Sequence, residues 1–295
     1  MKINKNQITL FFCFSLLALL NSISAFSIEK AKAIEQTDKI IEEGKMLYNT
    51  EITSWNGTEA FLASYNGDKS KVGGYFSYYS KDKNQFLNVY YNNDKKSPKI
   101  IFTTRFSNES NSNDADKNAV NTSNIKKENV EREMTDYEKQ LFIMRQKTLD
   151  LFPTDTIFKH YDQTNLNIIP MVYEGTKKVY VITIAKIDGV VVMGNDYELI
   201  FDANNNITSK KRLHSDILPV DIGNDKNRGI TYHTHIKSSG ELMTVTDVAI
   251  LLLSAKGAGW LQHYTLSGEW VTMWDVTNEK FTIKSKVEFD RENGR

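Results

Sequence analysis

Apolar residues near the start of the chain recur every three or four positions, and short alternating runs then replace this pattern. The first spacing predicts an amphipathic helix over 28–47, with Asn49-Thr50 and Ser54-Trp55-Asn56-Gly57 marking its end and a turn. The later runs are rich in β-branched and aromatic residues and are separated by turns of Asn, Gly and Asp, so they predict four strands. These strands are predicted at 60–65, 74–79, 85–91 and 99–106. Tight polar turns between them favour an antiparallel meander.

A polar segment then breaks the pattern. Asn, Ser, Asp, Lys and Thr dominate 107–127, where Ala115 and Val120 are almost the only apolar residues before Ile125. Such a segment buries too little apolar surface to order itself, so 107–132 is predicted to be a disordered loop or linker.

The polar segment is followed by a helix and a second run of strands. Thr135-Asp136-Tyr137-Glu138 has the pattern of a capping box and predicts a helix that stops before Pro153, with Glu138 and Arg145 on its solvated face. Further strands are predicted at 178–185, 190–193, 197–201, 207–213, 229–235, 263–266, 270–275 and 280–287. A helix over 246–256, ended by Gly257, interrupts them.

These elements predict an α+β fold built of antiparallel sheets with a few helices. The predicted organisation is an N-terminal helix plus small sheet over 26–106, the linker 107–132, and a larger, sheet-rich C-terminal part over 133–295.

The first 25 residues have the features of a secretory signal peptide. Lys2 and Lys5 precede an apolar run over 8–20, and small residues lead up to Ala25, so cleavage is predicted after Ala25 or Ser24. An uncleaved N-terminal anchor is the alternative, although the run is shorter than the ~20 residues that span a bilayer. The protein is therefore predicted to be exported, to a periplasm, a cell envelope or the medium.

The amino-acid composition restricts the classes of partner to be expected but says little about the function. The 37 Lys and Arg residues equal the 37 Asp and Glu residues in number, so nothing in the charge balance calls for nucleic acid or an anionic membrane. The single cysteine, Cys13, lies inside the predicted signal peptide, so the mature chain would contain no disulfide. No transmembrane segment is predicted in the mature chain, and the partner is left open.

Metal-ligand chemistry is concentrated in Gly229-Ile230-Thr231-Tyr232-His233-Thr234-His235 and the helix start that follows. Residues two apart on a strand face the same side, so the two histidines can address one ion. Asp247 lies in the first turn of the next helix, close enough in the chain to provide a third ligand for that ion. Zinc used in catalysis takes three protein ligands and keeps one open position. His160 and His263 lack any partner pattern and are predicted to be ordinary surface or packing residues.

This arrangement resembles the JAMM (Jab/MPN) metalloprotease signature, His-x-His-Pro, six residues, then Ser-x-x-Asp. The resemblance implies zinc ligands at His233, His235 and Asp247, with Thr244 in place of the serine. It also implies a glutamate as general base, for which Glu174 and Glu198 are the two candidates. Ile236 replaces the proline and the gap is one residue longer. The resemblance covers about 45 residues.

Two other interpretations of the histidines remain open. His214 can replace or join Asp247, which would give three histidines and a carboxylate. Alternatively, the histidines are structural and hydrogen-bond across strands, while Thr244 and Asp247 form a capping box.

Across the mature chain, the sequence is also similar to a family of uncharacterised exported bacterial proteins. The motifs that carry this similarity are Ser54-Trp55-Asn56-Gly57-Thr58, Gly73-Gly74-Tyr75-Phe76-Ser77-Tyr78, Gly194-Asn195-Asp196-Tyr197, Leu213-His214, His233-Thr234-His235 and Thr246-Asp247. The similarity implies that the two parts form one recurrent unit, and it implies no activity.

Two functions follow as hypotheses. The first is a non-catalytic envelope or secreted globular protein, and the alternative is a JAMM-like zinc-dependent hydrolase acting on peptide or isopeptide bonds.

Overall fold

In the part of the chain that the structure describes, a long helix, α1 (Lys5–Ser64), leads into fifteen strands and three further α-helices. The computed structural model describes residues 5–109, 119–221, 229–235 and 240–294. The side chains of the predicted signal peptide lie outside the described residues. Within the described part of the chain, no helix is long and apolar enough to cross a membrane.

Helix α1 continues through the predicted turn and through the strand predicted at 60–65, so both predictions are wrong. The predicted turn residues bond back to carbonyl oxygens one helical turn earlier: Thr50 Oγ1 donates to Met46 O at 2.9 Å, and Asn56 Nδ2 donates to Ile52 O at 2.8 Å. These bonds satisfy the polar side chains within a helix. Gly57 is required for close packing, because a Cβ there would come within about 2.5 Å of the Asn88 side chain.

The first sheet is antiparallel and has the strand order β1-β2-β3-β4, with β5 also paired to β3. Its strands are β1 (Val72–Ser80), β2 (Gln85–Asn92), β3 (Lys99–Glu109), β4 (Ala119–Glu128) and β5 (Arg132–Glu133).

Strand β4, the end of β3 and the start of β5 lie within the segment predicted to be disordered, so that prediction is wrong for residues 107–109, 119–128 and 132. The order of β4 comes from backbone pairing with β3, and Arg105 on β3 binds Glu128 through two bonds of 2.9 and 2.8 Å. Amino-acid composition indicates how much apolar surface a segment can bury, but it does not reveal that the backbone of the segment pairs with another strand. Residues 110–118 of the segment lie outside the described residues.

The capping box at the start of α2 (Asp136–Leu151) is confirmed, but its glutamate is not solvated. Glu138 is fully buried, where it accepts bonds of 2.7 and 2.6 Å from Arg132 and one of 2.9 Å from the Tyr78 hydroxyl. Arg145 is only half-buried and donates to the Tyr91 hydroxyl at 2.9 Å. The helix therefore attaches to the first sheet through polar as well as apolar contacts.

The second sheet is also antiparallel, in the order β10-β9-β7-β6, and a separate pair, β11-β8, lies beside it. The strands are β6 (Thr164–Tyr173), β7 (Thr176–Ala185), β8 (Val190–Gly194), β9 (Tyr197–Phe201), β10 (Ile207–Arg212) and β11 (Ile217–Asp221). Strands β6 and β11 are additions to the predicted set.

The third sheet has the order β12-β13-β14-β15 and contains the one parallel pair among the described strands, β12 with β13. Its strands are β12 (Ile230–His235), β13 (Gln262–Ser267), β14 (Trp270–Asp275) and β15 (Lys280–Ser285). Helix α3 (Val245–Ser254) connects β12 to β13, as a parallel pair requires. The strand predicted at 280–287 ends at Ser285, which caps α4 (Lys286–Glu292).

The largest core cluster joins α1, α3 and the strands around them. Leu47 on α1 and Val248 on α3 are both fully buried in it, together with Tyr180 on β7. Helix α1 also contacts the first sheet, where Phe61 stacks on Tyr90 with ring centroids 3.8 Å apart. The α+β class is confirmed. The division of the chain at 107–132 stays a prediction.

Candidate metal centre

Strand β12 presents its histidines to the interior. Exposure alternates along the strand, with Ile230 (67%) and Tyr232 (70%) facing outwards. His233 and His235 therefore share the inner face, as a two-residue period requires, and their Nε2 atoms lie 3.1 Å apart.

Asp247 is held by the N-terminal cap of α3. Its Oδ2 accepts the backbone N–H of Thr244 at 2.7 Å, and its own N–H donates to Thr244 Oγ1 at 3.1 Å. The same carboxylate lies 3.3 Å from His233 Nε2 through Oδ1 and 3.1 Å from His235 Nε2 through Oδ2. The capping interpretation is thus confirmed, and the cap also aims the carboxylate at the histidines.

His214 reaches the group from the segment that follows β10. The backbone N–H of Leu213 donates to Asp196 O at 2.8 Å, which fixes this segment against the β8–β9 turn. Gly194 has a φ of +91°, and a Cβ there would collide with the carbonyl oxygen of Asp216 and come within 3.3 Å of His214 Cβ. Glycine at this position allows the close approach that places His214.

Nitrogen and oxygen atoms of four side chains converge on one point. His214 Nε2 lies 3.0 Å from His235 Nε2 and 3.2 Å from Asp247 Oδ1, and the ligand atoms of His214, His233, His235 and Asp247 all lie within 4.8 Å of one another. Ligand atoms around a tetrahedral zinc ion with bonds of about 2.0–2.1 Å are separated by about 3.3 Å. The four residues form a group that could hold a metal ion.

The other ring nitrogen of each histidine faces a partner of its own. His235 Nδ1 lies 3.1 Å from the Leu242 carbonyl oxygen, and His233 Nδ1 lies 2.8 Å from His263 Nε2. His214 Nδ1 lies 3.3 Å from Asp196 Oδ2, an electrostatic contact whose alignment falls short of a full hydrogen bond. A proton on each Nδ1 leaves the lone pair of each Nε2 directed at the common point, as metal-ligating histidines require.

His263 is part of this supporting set: it is buried, as a packing residue is, but it also has partners that the sequence pattern did not indicate. It is 1% exposed and its Nδ1 lies 2.8 Å from Thr231 Oγ1, which in turn lies 3.5 Å from the Gln262 carbonyl oxygen. Burial, and then the charge of His233, lower the pKa of His263 to about 3, so the ring stays neutral and can accept from His233. No local motif marks this residue, because it meets His233 only through the parallel pairing of β12 with β13.

The charged side chains in and beside the group shift one another's pKa values. Burial acts to lower the pKa of His214, but Asp247 and Asp196 outweigh it and raise that pKa to about 10. Burial acts to raise the pKa of Asp247, and His214 and His233 outweigh it and hold that pKa well below its usual value. Burial also raises the pKa of Asp196, an effect that His214 opposes. The raised pKa of His214 therefore favours its charged imidazolium form beside the Asp247 carboxylate.

The two glutamates considered as general bases lie elsewhere. Glu174 is exposed in the β6–β7 turn, with a φ of +47°. Glu198 on β9 accepts the Tyr180 hydroxyl at 3.0 Å and lies 3.5 Å from Lys178 Nζ. Thr244 is in place beside the centre, where its hydroxyl donates to Asp247 Oδ2 at 2.8 Å.

One side of the cluster opens into a cleft of about 300 Å³. His214, His233 and Asp247 line the cleft, whereas the side chain of His235 is fully buried behind them. Among the described residues, this cleft gives access to the cluster.

No family model, no curated protein and no solved structure matches this chain. The function has to be argued from the geometry of the site.

Proposed function

We propose that the protein binds one divalent transition-metal ion of the zinc type, and that it is an exported, non-catalytic protein. The ligands are Nε2 of His214, His233 and His235 and the carboxylate of Asp247. The observation that carries the proposal is the orientation of the three rings. Each turns Nε2 to the common point while its Nδ1 faces a separate partner.

The donor set supports zinc. Imidazole nitrogen suits zinc, copper, nickel and iron, and a carboxylate completes a tetrahedral set for zinc. The neighbouring ligand atoms are 3.0–3.3 Å apart, near the edge length of that tetrahedron. Calcium and magnesium prefer sites made of oxygen atoms alone.

Four protein ligands favour a role in holding the fold together over a role in chemistry. Closed four-ligand zinc sites are typically structural, whereas catalytic sites keep an open position. An ion here would link the segment after β10, strand β12 and helix α3. Because it binds only the folded protein, it would stabilise the fold by mass action. The chain has a single cysteine, so no disulfide within it can stabilise the exported fold in place of the ion.

A second function is a metal-dependent hydrolase of JAMM-like design, acting on peptide or isopeptide bonds. The cleft at His214, His233 and Asp247 favours it, because a substrate could reach the centre. Zinc would supply a Lewis acid there. The first function is supported better, because His214 fills a fourth ligand position and Glu174 and Glu198 lie elsewhere. Asp216, the other carboxylate among the described cleft residues, is held by Lys159 at 3.1 Å and by the Tyr161 hydroxyl at 3.2 Å.

Metal analysis of protein purified without a histidine tag tests the proposal. We expect about one zinc ion per protein molecule, lost in the double variant His233→Ala, His235→Ala and retained in His160→Ala, which removes an exposed histidine outside the cluster. Wild-type protein that holds no metal after incubation with zinc would refute metal binding. Peptide or isopeptide cleavage that disappears in the double variant would favour the hydrolase.

A further inference from the structure

The cluster is not equally closed on all sides. The ring centroids of His214 and His233 are 6.1 Å apart, whereas each lies only 4.9–5.0 Å from the ring of His235. The side chains of His214 and His233 are 12% and 11% exposed, and that of His235 is 0% exposed. The side of the cluster that holds His214 and His233 therefore faces the cleft, and a further ligand would reach the ion from that side.

The walls of the cleft are largely apolar. Met193 and Ile217 line it, and Leu218 and Tyr232 stand at its mouth with exposed fractions of 47% and 70%. A site lined by apolar groups around a few convergent polar ones is typical of small-molecule binding. Two large exposed apolar side chains at the mouth provide contact area for an apolar ligand group.

The charges on the cleft walls are already neutralised. Asp216 is paired with Lys159 and Tyr161, and the remaining polar wall residues, Ser215 and Thr234, are uncharged. Among the described wall residues, an incoming ligand therefore meets no unpaired charge before it reaches the metal centre. An anionic head group suits that position, because carboxylate oxygen is a zinc ligand.

From these observations we infer that the cleft binds a carboxylate that carries an aromatic or branched aliphatic group. One carboxylate oxygen reaches the ion from the side of His214 and His233, and the apolar group packs against Tyr232 and Leu218. This inference rests on the proposed metal binding and adds an exchangeable fifth ligand to the four protein ligands, since zinc can expand from four to five ligands.

The test uses full-length protein in which cobalt(II) replaces zinc, with the bound cobalt measured first. Phenylacetate is titrated while the visible d–d absorption of the ion is recorded. We expect a saturable spectral change with phenylacetate, a much weaker one with acetate and none with phenylacetamide. Tyr232→Ser should weaken phenylacetate binding about fivefold to tenfold, because the phenyl ring of the ligand would bury less apolar surface.

Ile230→Ser is the matched control, since Ile230 is an equally exposed apolar residue on the same face of β12 but does not line the cleft. It should leave the affinity for phenylacetate unchanged. A short peptide ending in phenylalanine with a free carboxylate is titrated in parallel. Tighter binding of the peptide would assign the site to the carboxyl ends of polypeptides and weaker binding would assign it to free acids, and both results support the shared chemistry.

A failure of the proposed metal binding can be distinguished from a failure of this inference. Protein that binds no cobalt overturns both the metal proposal and this inference. If the spectrum of cobalt-loaded protein does not change with phenylacetate, the centre is closed by its four protein ligands. That result overturns this inference alone. Equal responses to acetate and phenylacetate, or an unchanged affinity in Tyr232→Ser, would show an open position without an apolar subsite and would overturn the ligand class.

Discussion

The Nδ1 atom of His233 lies 2.8 Å from Nε2 of His263, which sits on the neighbouring parallel strand. His263 in turn contacts Thr231, and Trp260 stacks on its ring at 5.3 Å. This series of contacts fixes both the tautomer and the orientation of His233. It connects the cluster of His214, His233, His235 and Asp247 to the buried interior of the third sheet.

Removing His263 should weaken metal binding although His263 touches no metal. We expect His263→Ala to lower the zinc affinity about 10- to 100-fold, the usual effect of losing the partner of a ligating histidine. Competition with a chromogenic chelator measures it. His263→Gln, which can place an amide oxygen near the Nε2 position, should recover part of the affinity. Equal losses in both variants would show that packing, and not the hydrogen bond, is what matters.

Metal binding should release a proton at neutral pH. Because the pKa of His214 is raised to about 10 in the metal-free protein, an incoming ion must displace that proton, and affinity should rise by up to about tenfold per pH unit. Calorimetry at pH 7.5 in buffers of different ionisation enthalpy would count about one proton per ion. A count of zero would contradict the raised pKa.

The same group sets the pH dependence of the metal-free protein. A histidine whose folded pKa is raised contributes stability in full below its unfolded pKa of about 6.5, and loses it as the pH rises through about 10. Metal-free wild-type protein should therefore lose stability between pH 7 and 10 in urea unfolding. A His214→Ala variant, which lacks the titrating ring, should show a flatter profile.

Gly194→Ala should disrupt the centre from outside the ligand set. The added methyl group would collide with the Asp216 carbonyl oxygen, and the backbone there has a φ of +91°, so the segment carrying His214 must move. We expect a loss of zinc affinity and a destabilisation of roughly 1–3 kcal/mol. Gly175→Ala, at a positive φ but with open space around it, is the matched control and should retain metal. Full affinity in Gly194→Ala would show that the segment tolerates the shift.

Glu51 on α1 should limit stability at alkaline pH. It is fully buried with Asn167 as its hydrogen-bond partner at 2.8 Å, and burial raises its pKa to about 7, an effect that Asn167 opposes. The folded state therefore favours the protonated acid, so stability falls as the pH rises from about 4.5 to about 7 and stays reduced above it.

The Glu51→Gln variant tests this buried acid directly. It should gain about 2–3 kcal/mol at pH 8 and little at pH 4.5, because the amide cannot ionise. Urea unfolding at both pH values measures the change, with the exposed Glu59→Gln on the same helix as control. An equal effect at both pH values would exclude ionisation as the cause.

Local patterns predicted much of the secondary structure. The capping boxes at Thr135 and Thr244 begin the helices they predict, and β9 and β14 have the predicted bounds. The errors arise where a distant contact changes what local chemistry indicates. Ser54 to Gly57 look like a turn, yet they pack as helix against β2, and the polar strand β4 is ordered by pairing with β3.

The sequence by itself determined that His233 and His235 share one face and that Asp247 lies at a helix start, because strand period and capping are properties of adjacent residues. Only the tertiary structure decided that His214 joins them and that His263 supports them. These two residues lie 19 and 30 positions from His233 in the sequence. Their approach depends on the backbone at Gly194 and on the parallel register of β12 with β13, which long-range packing sets.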